Sequence, residues 1–162
     1  MKIREARLSD APSLSRLALS LEKFYGDDDS SGISPYFAKK ITVESFENYL
    51  KNKEAYEHYV YEKNEKIIGY FSLLNGIHFL YLLVDEKHHK QGVAKALITY
   101  ALENRTDKFY SVNASIYAVP FYKKLGFVAF ALVQKHHGMI YQPMIWDRDI
   151  KNKEGKTKWN YY

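Results

Sequence analysis

Hydrophobic and polar positions along the 162-residue chain switch repeatedly between helical and extended spacing. Apolar residues three or four positions apart predict amphipathic helices, whereas short apolar or alternating runs bounded by turn residues predict strands. Helices are predicted over 9–24, 42–52, 91–104 and 115–125. Strands are predicted over 2–6, 56–61, 66–74, 78–84, 109–112, 127–133 and 139–146. This order predicts one α/β domain with a mixed sheet over residues 1–150, followed by a tail at 151–162.

Turn chemistry separates several of these elements. Asn75-Gly76 is a strong signal for a tight hairpin, and a turn is also predicted at Asn64-Glu65 and through His136, His137 and Gly138. The strand after Asn75-Gly76, at 78–84, is apolar on both faces, which is typical of an interior strand. Residues 26–32 are rich in Gly, Asp and Ser and are predicted to form a loop.

Composition places the chain among ordinary globular proteins. Its 46% hydrophobic content is ample for one packed core. The absence of cysteine excludes disulfides, thiolate zinc sites and a cysteine nucleophile, and it fits a reducing compartment. The first residues resemble no signal peptide and no stretch approaches the ~18 apolar residues of a membrane helix, so a cytoplasmic protein without a membrane partner is expected. The paired histidines at 88–89 and 136–137 point apart within each pair and lack an acidic residue at zinc spacing, so no metal is expected.

Charge is concentrated at one end of the chain. The net charge is +5, and the four lysines and one glutamate of residues 151–162 account for +3 of it. The small charge of the remainder favours a phosphorylated small molecule over nucleic acid as a ligand. A nucleic-acid binder that uses the basic aromatic tail remains an alternative. Because Trp159, Tyr161 and Tyr162 would be costly to expose, a homodimer is also left open.

The most informative segment is residues 82–97, in which an interior strand leads through a short basic loop into a helix. The first turn of a helix leaves N–H groups unpaired, and the macrodipole favours an anion there. Gly92 and Ala94 allow an anion to approach the backbone, and Lys87, Lys90 and Lys95 add positive charge. The segment predicts a pyrophosphate site, although its spacing fits neither a Walker loop nor a dinucleotide fingerprint. Alternatively, the two small residues serve only close packing of the helix on the sheet.

A second motif follows at residues 113–127, NASIYAVPFYKKLGF. It resembles the second hallmark of the GNAT acetyltransferases, in which an alanine precedes an aromatic-tyrosine pair and the helix ends in Leu-Gly-Phe before a strand. The loop at 89–94 resembles the first hallmark, Arg/Gln-x-x-Gly-x-Gly/Ala, with His89 at the Arg/Gln position. The segment 138–144 resembles the last strand of small bacterial members. The resemblance implies a GNAT fold, with a mixed, mostly antiparallel twisted sheet of about seven strands and about four helices. It also implies acetyl-CoA as co-substrate.

The resemblance further implies which residues contact coenzyme A. The pantetheine arm would pair with the backbone of Leu82–Val84, an N–H near Leu83 would polarise the thioester carbonyl, and Asn113 would meet the arm from the other side. Because the His89 imidazole is mostly neutral at pH 7, phosphate binding would depend on Lys90 and the backbone amides. The full expected set is Leu82, Leu83, Val84, His89, Lys90, Gln91, Gly92, Val93, Ala94, Lys95, Asn113, Phe121, Tyr122 and Lys124.

Acetylation of an amine requires a proton to leave the amine and another to reach the departing thiolate. By resemblance, Tyr122 is expected to donate to the thiolate as general acid. A tyrosine that only packs is the alternative. His78 is expected to act as base, because several GNAT enzymes carry a catalytic glutamate at the matching place, and an imidazole pKa near ~6.5 suits the task. A water chain or Glu22 could take this role instead.

The acceptor is expected to be a primary amine of a small molecule or a protein. Asp27, Asp28 and Asp29 lie in a loop that flanks the acceptor site in this family, so Asp27, Asp28 and Glu22 are candidate contacts to a cationic amine. A merely solvated loop is the alternative. A protein that binds acyl-CoA without catalysis, as a sensor or regulatory module, is the competing function.

Overall fold

The structure, a computed structural model, describes residues 1–25 and 33–147. Its helices are α1 (Ala11–Ser20), α2 (Pro35–Lys40), α3 (Val43–Lys51), α4 (Val93–Leu102) and α5 (Val119–Lys124). Its strands are β1 (Lys2–Glu5), β2 (Tyr56–Lys63), β3 (Lys66–Leu74), β4 (His78–Val84), β5 (Phe109–Ser115), β6 (Val128–Ala129), β7 (Gln134–His136) and β8 (Met139–Asp147). Across these residues the strands form one eight-stranded sheet in the order β1-β2-β3-β4-β5-β8-β6, with β7 also paired to β8. Of the described pairs, β4 and β5 alone are parallel, so the expected mixed, mostly antiparallel sheet is confirmed.

The predicted strand 127–133 is wrong in its length. Only Val128 and Ala129 pair with β8, and the chain leaves the sheet after a last bond from the Phe130 N–H to the Pro143 carbonyl. Pro143 has no N–H to donate, so β8 offers no ladder donor at that position. The following residues form a separate short strand, β7, which completes a hairpin with β8 through the predicted turn.

The helical regions also differ from the sequence expectation. The predicted helix 9–24 is α1 flanked by single 3₁₀ turns at Leu8–Asp10 and Glu22–Phe24, and the Asp10 carboxylate accepts the backbone N–H of Arg7 at the start of the first turn. The predicted helix 115–125 begins late, since Ser115 still belongs to β5 and pairs with Tyr141. The short helix α2 was not predicted. No helix in the described parts of the chain is long and apolar enough to cross a membrane.

Two hydrophobic cores flank the sheet. One core packs α4 and α5 against it and includes Phe71, Leu97 and Phe127. The other packs α1 and α3 and includes Leu14 and Phe46. Residues of β3 and β4 contribute to both cores, as expected for interior strands with two covered faces.

Gly69 sets the distance between β3 and α4. A Cβ at this position would lie 2.8 Å from Val93 Cγ1 and 2.9 Å from Leu97 Cδ1. Both distances are shorter than carbon atoms tolerate, so only a glycine lets α4 lie this close to the strand. Val93 is the first residue of α4, and this contact therefore fixes the start of the helix that follows the basic loop.

Candidate active site

The parallel strands β4 and β5 separate soon after they meet. Their described pairing is confined to His78 with Ser111 and Phe79 with Val112. Beyond Phe79, β4 continues to Val84 and β5 to Ser115 without further pairing between them. The edge of β4 from Leu80 onward is therefore open toward β5. An extended chain with amide groups could use this edge as it would use the edge of any sheet.

A β-bulge marks the point where the strands separate. On the β3 side, Leu73 pairs with Phe79 and Ser72 with Tyr81, which leaves Leu80 as the extra residue. A bulge bends its strand and changes the direction of the following side chains. Leu80 and Tyr81 consequently both pack toward the α1–α3 core, whereas Phe79 and Leu82 pack toward the α4–α5 core.

A cavity of about 450 Å³ opens at this bulge. The expected residues Leu82, Leu83, Asn113, Tyr122 and His78 are all among those that line it. Among the described residues, the lining consists of Tyr25, Tyr36, Phe37, Lys40, Tyr49, Tyr56, His78, Phe79, Leu80, Tyr81, Leu82, Leu83, Val112, Asn113, Ala114, Ser115, Ala118, Tyr122, His136, Met139, Ile140 and Tyr141. The structure therefore brings both proposed catalytic side chains to the same space between the parted strands.

The basic loop after β4 has the backbone shape of an anion site. Lys90 and Gly92 both adopt positive φ, 60° and 83°, and Gly92 is the N-cap of α4. The first described helical bond runs from the Ala96 N–H to the Gly92 carbonyl, so the amides of Val93, Ala94 and Lys95 precede the helical pattern. A Cβ on Gly92 would meet nothing within 4 Å. The space in front of Gly92 is therefore open, and the backbone N–H groups of the first turn of α4 have no helical partner.

One side chain of the loop stabilises its backbone, and three others are exposed to solvent. Gln91 donates its Nε2–H to the Lys87 carbonyl at 2.8 Å and so closes the loop on itself. Lys87, Lys90 and Lys95 are exposed. These three ammonium groups are free to approach a phosphate from solvent, without a large desolvation penalty.

The His89 ring lies across the end of the gap between the strands. Its Nε2 is 2.8 Å from the Val84 carbonyl oxygen, and its Nδ1 is 3.2 Å from the Tyr117 hydroxyl. Phe24 packs against both rings, with centroid distances of 5.4 Å to His89 and 4.4 Å to Tyr117. The phosphate contact expected of His89 would require the ring to give up one of these two hydrogen bonds.

Tyr122 lies in the second half of α5 and is buried. Its side chain is 4% exposed and packs edge-on against Phe121 and Phe127, each with a centroid distance of 5.3 Å. Burial raises the pKa of the Tyr122 phenol above its ordinary value, and no charge or hydrogen bond contributes to that shift. The phenol is therefore protonated throughout the physiological pH range and can serve as a hydrogen-bond donor.

His78 lies where β4 and β5 still pair. Its Nδ1 is 2.8 Å from the Ser111 hydroxyl oxygen across the parallel pair. Burial lowers the pKa of the His78 imidazole below its ordinary value. The ring is consequently neutral at pH 7 and has one nitrogen with a lone pair, which is the state required of a base.

Not every residue predicted for the site lines this cavity. Phe121 packs against the α4–α5 core, Lys124 is exposed at the end of α5, and Glu22 is exposed on the 3₁₀ turn after α1. None of the three belongs to the described lining. Asp27 and Asp28 lie outside the described residues.

The aromatic wall of the cavity and the partner of His78 were not predicted from the sequence. Tyr25, Phe37 and Tyr49 come from three segments that are distant from the recognised motifs. The segment that contains Phe37 did carry a sequence signal, because Ser34 followed by Pro35 is a pattern typical of a helix start. In the structure the Ser34 Oγ accepts the Phe37 N–H at 3.1 Å. Ser111 had no local signal, since its role depends on strand pairing.

Comparison with known proteins bears on the family and the fold. The model of the acetyltransferase (GNAT) domain family matches residues 25–148. A GCN5-related N-acetyltransferase from Rhodopseudomonas palustris is 22% identical, with a TM-score of 0.74 over 90% of this chain and 94% of that one. PaiA N-acetyltransferase from Thermoplasma acidophilum, solved with coenzyme A, is 16% identical, with a TM-score of 0.70 over 90% and 98%. Ribosomal-protein-alanine N-acetyltransferase from Brucella melitensis is 16% identical, with a TM-score of 0.67 over 91% and 99%.

At these identities the solved structures show the shared fold. A comparison with curated protein sequences finds no match. The family model covers most of the chain, including the basic loop, the parted strands and the segment around Tyr122. The chain belongs to the GNAT acetyltransferase family.

Proposed function

We propose that the protein transfers an acetyl group from acetyl-CoA to a primary amine, by direct attack of the amine while both substrates are bound. The observation that carries this proposal is the cavity at the Leu80 bulge, where an open strand edge, Tyr122 and His78 converge. The acceptor is the amine of a small molecule or of a protein. The family match supports acetyl transfer in general, and the cavity supports this particular division of roles.

The open edge of β4 and the basic loop fit the two halves of coenzyme A. The pantetheine amides would pair with the backbone of Leu82–Val84, with Asn113 on the opposite side of the gap. The pyrophosphate would meet the amides from Gln91 to Lys95, where Gly92 leaves the approach open. The exposed lysines of the loop would add charge, and Phe121 and Lys124 would flank the outer part of the ligand.

In the transfer itself, the amine nitrogen attacks the thioester carbonyl. The carbon–nitrogen bond forms, the carbon–sulfur bond breaks, and the departing thiolate takes up a proton. A backbone N–H near Leu83 would stabilise the developing oxyanion. The Tyr122 hydroxyl would donate to the sulfur, because it is held protonated in the cavity beside the parted strands.

The amine must lose its proton before or during attack, since an alkylammonium with pKa near ~10.4 has no free lone pair. We assign this proton to Nε2 of His78, with Nδ1–H donating to the Ser111 hydroxyl oxygen. The low pKa that burial gives His78 keeps Nε2 unprotonated at neutral pH. A water between the amine and the ring would serve the same transfer.

The test is an acetylation screen over primary amines, read by the release of free coenzyme A. The full-length protein should release coenzyme A in an amine-dependent manner, and mass spectrometry should find the acetylated amine. Calorimetry with acetyl-CoA should be run on the same preparation. Tight binding without transfer to any amine would overturn the proposal and favour a non-catalytic acyl-CoA-binding module.

A further inference from the structure

One wall of the cavity consists of aromatic rings in continuous contact. Tyr25 lies 4.8 Å from Phe37, Phe37 lies 6.4 Å from Tyr81, Tyr81 lies 6.1 Å from Tyr49, and Tyr49 lies 5.3 Å from Tyr56, measured between ring centroids. These five rings come from the end of the α1 region, α2, α3, β2 and β4, and all of them line the cavity. Such a wall favours flat apolar groups and rings of a ligand, which bury area at low conformational cost.

The described part of the lining includes basic side chains. It contains Lys40, His78 and His136, and none of the described lining residues is an aspartate or a glutamate. The Lys40 ammonium lies 5.5 Å from the ring of Tyr36, at the same wall. The described part of the lining is therefore positively charged or neutral, and a single amine can lose its own charge to His78.

The wall also contains one hydroxyl without a partner. The Tyr25 oxygen is buried and has no hydrogen bond among the described residues. Burial raises the pKa of this phenol, so it is a neutral donor and acceptor. This oxygen has almost no accessible surface, so a ligand reaches it only when the neighbouring side chains move slightly apart. A buried polar group without a partner is unfavourable, and a ligand that then supplies the missing hydrogen bond is selected over one that does not.

We propose that the acceptor is an arylalkylamine, a monoamine whose aromatic ring lies on the wall of Tyr25, Phe37 and Tyr81 and carries a polar substituent that pairs with the Tyr25 hydroxyl. This inference rests on the proposed acetyl transfer and specifies the acceptor of that same site. The amine would point from the wall toward His78 and the bulge at Leu80, where β4 and β5 separate. The ring would bury its faces against rings that are already held in place by mutual contact.

The first experiment compares four amines with the full-length protein: tyramine, phenethylamine, butylamine and spermidine. The expected order of kcat/KM is tyramine above phenethylamine, and phenethylamine at least about tenfold above butylamine and spermidine. Equal or better acetylation of butylamine or spermidine would overturn the aromatic acceptor while leaving the acetyl transfer intact. Acetyl-CoA turnover with none of the four amines but with other primary amines would have the same consequence. Absence of transfer to any amine would instead remove the proposed function itself.

The second experiment uses a variant and a matched control. Phe37→Leu removes a ring from the wall but keeps an apolar side chain, so kcat/KM for phenethylamine should fall about tenfold while that for butylamine stays the same. Tyr100→Leu removes a ring that is exposed on α4 and contacts Tyr59 outside the cavity lining, and it should change neither value. Equal effects of the two variants, or equal losses for both amines, would overturn the wall as the binding surface.

Tyr25→Phe tests the hydroxyl separately, because it keeps the ring. The advantage of tyramine over phenethylamine should disappear, with phenethylamine unchanged. An unaltered ratio of the two amines, or no advantage of tyramine in the wild type, would overturn the hydrogen bond to Tyr25. Melting temperatures of all variants should be measured so that a folding defect is not taken for a binding effect.

Discussion

At the scale of single residues, Gly92 combines a left-handed backbone with open space in front of it. Asn and Asp both tolerate positive φ and have the same shape, so Gly92→Asn and Gly92→Asp differ by one negative charge. The charge would repel the pyrophosphate, and Gly92→Asp should bind acetyl-CoA about ten- to a hundredfold more weakly than Gly92→Asn. Calorimetry at fixed salt measures both dissociation constants. If they are equal, the pyrophosphate does not lie at Gly92.

Tyr122 offers a substitution that removes one hydroxyl and leaves a buried ring in place. In Tyr122→Phe the contacts to Phe121 and Phe127 persist, so the affinity for acetyl-CoA should change little. Because the hydroxyl is needed as charge develops on sulfur, kcat should fall, within the ~10²–10⁴-fold range of general acid–base steps or below it if water substitutes. Stopped assays of turnover beside calorimetry separate the two quantities. A wild-type kcat would show that Tyr122 only packs.

The pH profile tests His78. Burial lowers the pKa of His78, so the imidazole gains its proton only below the ordinary value of ~6.5, and the acidic limb of kcat/KM should lie below that pH. His78→Gln should lower the rate at neutral pH and flatten this limb, with partial recovery at high pH as free amine increases. Ser111→Ala should keep the limb but shift it, because it removes only the partner of Nδ1. Superimposable profiles for His78→Gln and wild type would transfer the base to water or to Glu22.

At the scale of elements, the close contact of β3 with α4 positions the basic loop. Gly69→Ala would place a methyl group within 3 Å of Val93 and Leu97, inside the α4–α5 core. Overpacking of this kind typically costs about 1–3 kcal/mol, so the free energy of unfolding should fall by that amount. Because Val93 adjoins Gly92, acetyl-CoA affinity should fall as well. Chemical denaturation of Gly69→Ala beside Lys66→Ala, an exposed change on the same strand, checks this. Equal stabilities would mean that α4 can move away at no cost.

The elements also show how far the sequence alone could lead. The bounds of β3 and β4 and the tight turns were predicted because they depend on local patterns, and positive φ is found at Asn64, Asn75 and His137. The basic loop at Gly92 and the place of Tyr122 on a helix could be predicted for the same reason, because both depend on local sequence. The bulge at Leu80 was not, because β4 is apolar on both faces and an extra residue leaves no mark in such a run. The aromatic wall and the pairing of Ser111 with His78 depend on tertiary contacts.

At the scale of the whole molecule, the two substrate regions are built mostly from different parts of the chain and meet at β4. The region proposed for coenzyme A uses the two strand–loop–helix units that surround the parallel pair, β4 with α4 and β5 with α5. The region proposed for the acceptor uses mainly the segments before β3 and the β7–β8 hairpin at His136 and Tyr141, and it shares β4 with the first region through Tyr81. A single cavity contacts both regions. Acetyl-CoA and the amine can therefore be bound at the same time, side by side, as direct attack requires. Neither region has to move for the two substrates to meet.

The last prediction concerns residues 151–162, which carry +3 of the net charge of +5. The family match ends at 148, and the lining residues that the structure describes lie between 25 and 141. A chain that ends at residue 150 should therefore keep kcat/KM within about twofold of the full chain, since it retains all the groups assigned to catalysis and binding. Any binding of nucleic acid through the tail should fall steeply with salt and should vanish in the shortened chain, because the tail carries most of the net positive charge. Light scattering on both chains would reveal a dimer that depends on the tail. Loss of acetyl transfer in a shortened chain that melts normally would show that the tail belongs to the active site.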